Sequence, residues 1–209
     1  MNEIKQVKKQ VINKKVLLTI VFIVFILGLL FGSIYITILD NSNKKIVIDN
    51  VKNYFGNFSS ITFKDKLGIF KNSLIKNLSY YLSIWILGLS IIGIPVILIM
   101  VFFKSFITGF SISGLFAVYK FKGLLGIFFY MIPSNIITLL YTLFLGAYSI
   151  DLSIKLLRHA FKKKTLNFGF FMGKYYFLLL VSILLSVIVS LYDAFIEPSI
   201  LNLFTKIIK

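Results

Sequence analysis

The sequence predicts an all-α polytopic membrane protein: a bundle of five transmembrane helices with amphipathic interfacial segments. Hydrophobic residue types make up 58% of the 209 residues and charged types only 14%, against roughly 45–50% and 25% in a soluble domain. A soluble fold of this length has too little interior to bury so much apolar surface. Long uncharged runs recur along the whole chain, so we expect a single membrane domain, residues 1–209.

Five uncharged runs define the predicted spans. About 20 apolar residues cross a bilayer core, and four of the runs reach or approach that length. The third run has only 15 residues, so it crosses only if Lys104, Lys120 and Lys122 extend outward toward water. The first run, with 24 residues, is longer than the apolar region of a signal peptide, which predicts an uncleaved anchor. The predicted spans are about 16–39, 77–103, 105–121, 123–150 and 175–192.

The lysine clusters predict the orientation. The two densest clusters are Lys5–Lys15 and Lys155–Lys164, and five spans place both on the cytoplasmic side, as the excess of basic residues in cytoplasmic loops requires. The N-terminus is then cytoplasmic and the C-terminus extracytoplasmic. Residues 40–76 become an extracytoplasmic loop and residues 151–174 a cytoplasmic basic loop. Lys104 falls in a cytoplasmic turn between the second and third spans.

The net charge of +16 comes almost entirely from lysine, since Arg158 is the only arginine. Because these lysines alternate with apolar runs, the expected partner is the anionic headgroups of membrane lipids. Proteins that read nucleic acids depend on arginine forks, so no nucleic-acid partner is expected. The chain has no cysteine, which excludes disulfides, thiolate nucleophiles and cysteine-based metal sites.

Two segments are amphipathic and, in this orientation, extracytoplasmic. In Phe63–Leu78 the apolar residues recur at helical spacing with lysines between them. Pro198 opens a second segment, in which one face collects the apolar residues Ile200, Leu203, Phe204, Ile207 and Ile208. Each segment either lies at the lipid interface or forms a docking surface for a partner, and the pattern alone leaves both interpretations open.

Small residues at steps of four indicate close helix packing, which inside lipid depends on the approach of backbones. The pattern favours a compact bundle or a homo-oligomer. It occurs in four spans, at Gly28 and Gly32, at Ser105, Gly109 and Ser113, at Thr138, Thr142 and Gly146, and at Ser182, Ser186 and Ser190.

Helix-breaking residues stand near mid-depth in two predicted spans. The second contains Gly88, Gly93 and Pro95, and the fourth contains Pro133 followed by Ser134 and Asn135. Proline removes a backbone hydrogen bond and frees a carbonyl oxygen. Such interrupted helices either are simple kinks in a packed bundle or mark a transport pathway.

Residues suited to catalysis are scarce, so the sequence predicts a protein that is not an enzyme, with no catalytic, cofactor-binding or metal site. His159 is the only histidine, which leaves no recognisable zinc site and no histidine-based triad. The acidic residues fall in tails, in loops or at span ends, and Asp193 and Glu197 form a weak i, i+4 pair at the outer end of the fifth span. No ionisable residue is expected at mid-membrane.

Several apolar motifs resemble the stage II sporulation protein M family. They are Trp85-Ile-Leu-Gly88 continuing to Gly93-Ile-Pro95, Lys104-Ser-Phe-Ile-Thr-Gly109-Phe110, Gly123, and Ile132-Pro133-Ser134-Asn135. Many family members have glutamine at the position of Ser134. The resemblance covers nearly the whole chain. Its motif residues read as determinants of the fold: Trp85, Gly88, Gly93, Pro95, Gly109, Pro133 and Asn135.

The resemblance implies a non-catalytic membrane scaffold of endospore formers that acts during engulfment. Such proteins recruit and localise the peptidoglycan hydrolases stage II sporulation proteins D and P at the sporulation septum and the engulfing mother-cell membrane. The expected contact surfaces are the extracytoplasmic stretch Ile46–Leu78 and the outer ends of the spans. The alternative is a small membrane transporter or channel subunit that uses the broken helices around Pro95 and Pro133, with Asn135 beside the pathway.

Overall fold

The computed structural model describes residues 2–56, 63–126, 132–162 and 168–208, and within these residues all regular structure is helical. A π-helical turn, Tyr192–Ile196, joins the last two α-helices. The α-helices are α1 (Asn2–Ile38), α2 (Asn41–Gly56), α3 (Phe63–Gly88), α4 (Gly93–Gly126), α5 (Ile132–Lys162), α6 (Phe168–Leu191) and α7 (Glu197–Ile208).

Four helical stretches within the described residues are long and apolar enough to cross a membrane: Lys14–Ile38, Gly93–Lys122, Pro133–His159 and Met172–Leu203. The predicted class, an all-α protein with several apolar helices, is confirmed. Helix α3 is not among the four. It packs antiparallel to α6, because Ser73 near its start contacts Asp193 and Trp85 near its end contacts Tyr175. A fifth crossing and the orientation of the termini stay predictions.

The boundary between the second and third predicted spans lies elsewhere than expected. The chain turns at residues 89–92, where the Leu89 and Ser90 amides donate to carbonyls of α3 at 3.0 Å, and α4 then continues through Lys104 without interruption. The boundaries 77–103 and 105–121 are therefore wrong, because a single lysine does not end a helix when its long side chain finds partners inside the bundle. Lys120, with φ 50°, kinks α4 close to the predicted end at 121.

The two prolines expected to break spans begin helices instead. Pro95 is the third residue of α4 and Pro133 the second residue of α5. In the first turn of a helix the missing N–H has no intrahelical partner to lose, so proline is well tolerated there. The prediction that Pro95 and Pro133 interrupt spans near mid-depth is wrong, and the fourth span starts near Ile132 rather than at residue 123.

The loops predicted between spans are largely helical. Residues 40–76 contain α2 and the first half of α3, so the amphipathic Phe63–Leu78 segment continues into the bundle as one helix. Residues 151–174 are mostly the end of α5 and the start of α6, and residues 163–167 lie outside the described part. Beyond the fifth predicted span, α6 continues through the π-helical turn into α7. The side chains of Phe204, Ile207 and Ile208 lie outside the described part.

Helices α1 and α4 run parallel and make the closest contact of the bundle. A Cβ added at Gly28 or Gly32 of α1 would overlap backbone atoms of Phe102 or Phe106, and one at Gly109 of α4 would overlap the carbonyl of Leu29. The Ser113 hydroxyl donates to the Ser33 carbonyl at 2.9 Å. The small-residue stripes of these two helices therefore meet, which agrees with the close helix packing that such stripes predict.

Tyrosine and serine side chains join α3, α5 and α6. The rings of Tyr81 and Tyr141 pack edge to face with centroids 5.1 Å apart, and the Tyr141 hydroxyl donates to the Leu178 carbonyl at 2.6 Å. The stripe residues Ser182 and Ser186 are fully buried, and each donates to a carbonyl one turn earlier. These small side chains permit close packing without leaving a hydroxyl unsatisfied.

A reciprocal pair of hydrogen bonds fixes the end of α3 against the start of α6. The Trp85 indole N–H donates to the Tyr175 carbonyl at 3.0 Å, and the Tyr175 hydroxyl donates to the Trp85 carbonyl at 2.6 Å. The two rings stack with centroids 5.2 Å apart. A Cβ at Gly88 would overlap the Tyr175 hydroxyl and crowd Ser149, so glycine is required at this contact.

We expect Tyr175→Phe to lower the free energy of unfolding by about 1–2 kcal/mol, because it removes the donor to the half-buried Trp85 carbonyl and the hydrogen bond with the buried Ser149 hydroxyl. Tyr176→Phe is the matched control, since Tyr176 also contacts Trp85 with its ring but is exposed. Trp85 is the only tryptophan, so its fluorescence during denaturant titration reports both variants. Equal stability of the two variants would contradict the assigned role of the hydroxyl.

Candidate functional site

Lys104 lies in the interior of α4, surrounded by residues of other helices. It is 11 residues from Gly93, about 16 Å along the helix. Its Nζ lies 5.1 Å from the centre of the Tyr80 ring, a cation–π contact that gains strength when water is excluded. Asp193 and Lys76 are the other charged groups that act on it. Lys104 therefore lies within the apolar stretch Gly93–Lys122 and not in the turn between two spans that the sequence predicted.

Asp193 extends from the π-helical turn toward α3. The Ser73 hydroxyl donates to its Oδ2 at 2.6 Å, and the Asn77 amide and the Ser190 hydroxyl both donate to the Ser73 oxygen. Asp193 Oδ1 is buried and accepts no hydrogen bond from the described residues. Burying a carboxylate oxygen without a donor costs free energy, so the groups around Asp193 matter for its stability in the bundle.

The π-helical turn determines where the acidic groups point. Over Tyr192–Ile196 the Glu197 amide donates to the Tyr192 carbonyl, which adds one residue to the turn. Such insertions rotate the following side chains relative to a regular α-helix and recur at functional sites. In this chain the turn brings Asp193 to Ser73 while Glu197 continues into α7.

The charges around Asp193 come from several helices. Lys104 on α4, Glu197 on α7 and Ser134 at the start of α5 are the other groups within electrostatic reach of its carboxylate. The N-terminus of α5 carries a partial positive charge that favours nearby anions. Two carboxylates, one lysine and a helix N-terminus thus meet in this part of the bundle, where an ionisable residue among apolar helices is by default a candidate functional group.

A partly open cavity of about 560 Å³ adjoins this cluster. Helix α2 forms one wall through Val47, Asn50 and Val51, and α4 forms another through Ile107, Phe110 and Leu115. The cavity has the size of a small-ligand site. Besides Asn50, its polar lining residues are Lys104, Thr108, Ser111, Ser134, Asn135 and Glu197.

Of the seven motif residues interpreted as determinants of the fold, Asn135 lines this cavity, and so do Lys104, Phe110 and Ser134 from the same motif stretches. Trp85 and Gly88 lie at the opposite end of α3, beside Tyr175. Pro133 begins α5, two residues before Asn135. The structure therefore does not bring the motif residues together as one site. Gly93 and Pro95 open α4, and Gly109 packs against α1.

Sequence reasoning missed Lys104, Asp193 and Ser73 as a cluster. One signal was available for the lysine: Lys104 is the only charged residue between Lys76 and Lys120, a position that favours a residue inside a long helix over one in a loop. Nothing in the sequence indicates the π-helical turn that brings Asp193 to Ser73.

The arrangement suits binding of a polar group in an apolar setting. Within the described residues, no three histidine, cysteine, aspartate or glutamate side chains come close enough to hold a metal ion. The groups that do converge are an ammonium, two carboxylates, hydroxyls and an amide, which donate and accept hydrogen bonds. Together with the four apolar helical stretches, they define a multi-pass α-helical membrane protein with a polar cavity.

The model of the family "Stage II sporulation protein M" matches residues 21–198, and the chain therefore belongs to that family. This confirms the family assignment predicted from the apolar motifs and makes the chain a sporulation-related membrane protein. No curated protein and no solved structure matches the chain.

Proposed function

We propose that the protein is a non-catalytic membrane scaffold that recruits the peptidoglycan hydrolases stage II sporulation proteins D and P. Its place is the sporulation septum and then the engulfing membrane of the mother cell. The family membership supports the link to sporulation. The scaffold role extends the resemblance noted in the sequence.

The observation that carries the proposal is the position of α2. Its residues Val47 and Val51 approach Gly114 of α4 at ordinary contact distances, so the helix is held against the bundle by its apolar face. The opposite face exposes Lys45, Ile46 and Lys52. A helix fixed in this way presents a mixed charged and apolar surface to a partner in the same membrane.

Tethering of this kind acts through local concentration. Two partners held on one scaffold in a membrane plane meet far more often than freely diffusing ones. In this proposal the catalytic residues that cleave peptidoglycan belong to the two hydrolases. Anionic lipid headgroups are a further partner in the proposal, supported by the lysine-rich composition. A second copy of this chain is another, based on the small-residue stripes.

Changing the exposed face of α2 tests the docking surface. The triple variant Lys45→Glu, Ile46→Ser, Lys52→Glu is expected to weaken co-purification of both hydrolases from detergent-solubilised membranes about tenfold, because it reverses charge at a contact surface. The control triple Lys45→Arg, Ile46→Leu, Lys52→Arg keeps charge and apolar character and is expected to capture normally. Equal capture by both triples would refute α2 as the docking surface.

A second candidate function, a small transporter or channel subunit, is favoured by the polar cavity. Lys104 and Asn135 line it within apolar helices, whereas Pro95 and Pro133 no longer support the pathway as helix breaks. A solute flux in proteoliposomes that Asn135→Ala abolishes would establish transport. Two controls give the background flux. One is liposomes without protein, and the other is the Ser83→Ala variant, which changes an exposed hydroxyl of α3.

A further inference from the structure

The partly open cavity between α2, α4, α5 and α7 combines opposite charges in one space. Lys104 and Glu197 both line it, together with hydroxyl and amide groups such as Ser134 and Asn135. A purely anionic ligand would face the carboxylates of Glu197 and nearby Asp193, and a purely cationic ligand would face Lys104. A ligand that carries an anionic group and a primary amine would make a favourable contact with each, because the lysine donates to the anion and the carboxylate has further lone pairs that accept from the amine.

One edge of the cavity is apolar and faces outward from the bundle. Ile107 lines it and is 61% exposed, on a helix apolar enough to face lipid. The cavity therefore has an apolar rim at the outer surface of α4. A head group that enters past Ile107 reaches Lys104 about one helical turn away, while attached apolar chains remain outside along the helix.

We propose that this cavity is a binding site for a zwitterion that carries a phosphate or carboxylate and a primary amine. Two sources have this chemistry: the head group of an ethanolamine phospholipid, and a free amino acid. The position of Ile107 at the rim favours the lipid. The site is independent of the scaffold proposal, since it lies on the inner side of α2 and the docking surface lies on the outer side.

Competitive lipid retention tests the lipid source. The full-length protein is extracted from vesicles with equal amounts of phosphatidylethanolamine, phosphatidylcholine and phosphatidylglycerol, and retained lipid is counted by native mass spectrometry. We expect about tenfold enrichment of phosphatidylethanolamine, because choline has no N–H to donate and glycerol has no cation. Preferential retention of phosphatidylglycerol would overturn the proposal, since it indicates a simple anion site.

A cavity-filling variant separates binding from folding. Ser111→Leu narrows the cavity without changing any charge, because the Ser111 hydroxyl bonds only to the Ile107 carbonyl of its own helix at 2.9 Å. Ser83→Leu is matched, since the Ser83 hydroxyl makes the same bond to Ser79 at 2.8 Å on an exposed face of α3. Enrichment is expected to vanish in the first variant and persist in the second. Unchanged enrichment in Ser111→Leu would overturn the proposal.

A thermal-shift measurement tests whether a soluble zwitterion binds in the cavity. The protein is placed in phosphatidylcholine nanodiscs, and the probes are alanine and glycerophosphoethanolamine. Stabilisation by either compound that Ser111→Leu removes would support the zwitterion site and identify a soluble ligand. Absence of stabilisation, together with equal retention of the three lipids, would overturn the proposal. Capture of the two hydrolases is measured separately and does not bear on this result.

Discussion

Replacing Gly32 by alanine is expected to lower the free energy of unfolding by about 3 kcal/mol, at the upper end of the usual cost of overpacking. The added methyl would overlap the backbone carbonyl of Phe106 on α4, and a backbone atom cannot move aside as a flexible side chain does. The two helices would have to separate along their whole contact. Unfolding in mixed detergent micelles, followed by Trp85 fluorescence, measures the change.

Gly68→Ala is the matched control for that experiment. Gly68 also lies inside a helix, but an added Cβ meets nothing within 4 Å. Alanine stabilises an open helical position by roughly 0.5–1 kcal/mol relative to glycine, so this variant is expected to be slightly more stable than the original chain. Destabilisation of equal size in both variants would mean that α1 and α4 do not pack as described.

Replacing Lys104 by methionine is expected to cost about 2 kcal/mol, because it removes the cation that lies over the Tyr80 ring and acts electrostatically on the carboxylate of Asp193. The double variant Lys104→Met, Asp193→Asn is expected to be more stable than the single variant, since it removes the uncompensated charge as well. The interaction free energy of this double-mutant cycle measures how strongly the two side chains are coupled. The same micelle titration supplies all four stabilities.

Lys76→Met provides the comparison for the Lys104 result. Lys76 also acts on Lys104 electrostatically, but it is exposed, and exposed substitutions usually change stability by no more than about 0.5 kcal/mol. If Lys104→Met proves as mild as Lys76→Met, or if the cycle shows no coupling, the polar cluster does not contribute to the stability of the bundle.

The membrane class and the family follow from the sequence because both depend on composition and local order. The apolar fraction alone excludes a soluble fold of this length, and the order of the motifs from Trp85 to Asn135 suffices for the family assignment. The stripes at Gly28, Gly32 and Gly109 predicted close packing correctly, because a small side chain is a direct requirement of backbone approach.

Helix boundaries were predicted less well, because a reading of hydropathy takes every charged residue as the end of a membrane span. Lys104 interrupts an apolar run in the sequence, yet its ammonium lies over Tyr80 of another helix, and only the packing of α3 beside α4 provides that ring. Pro95 and Pro133 mark helix starts as readily as helix breaks, and the chain alone does not show which.

The sequence by itself determined that this chain belongs in a membrane, since the hydrophobic effect depends on how much apolar surface the residues carry. It also determined which family the chain belongs to and where its backbones approach closely. Only the tertiary structure decided that Lys104, Asp193, Ser73 and Glu197, from four helical segments, gather beside one cavity. Long-range electrostatics and the π-helical turn act between residues far apart in the chain, and no local pattern encodes their meeting.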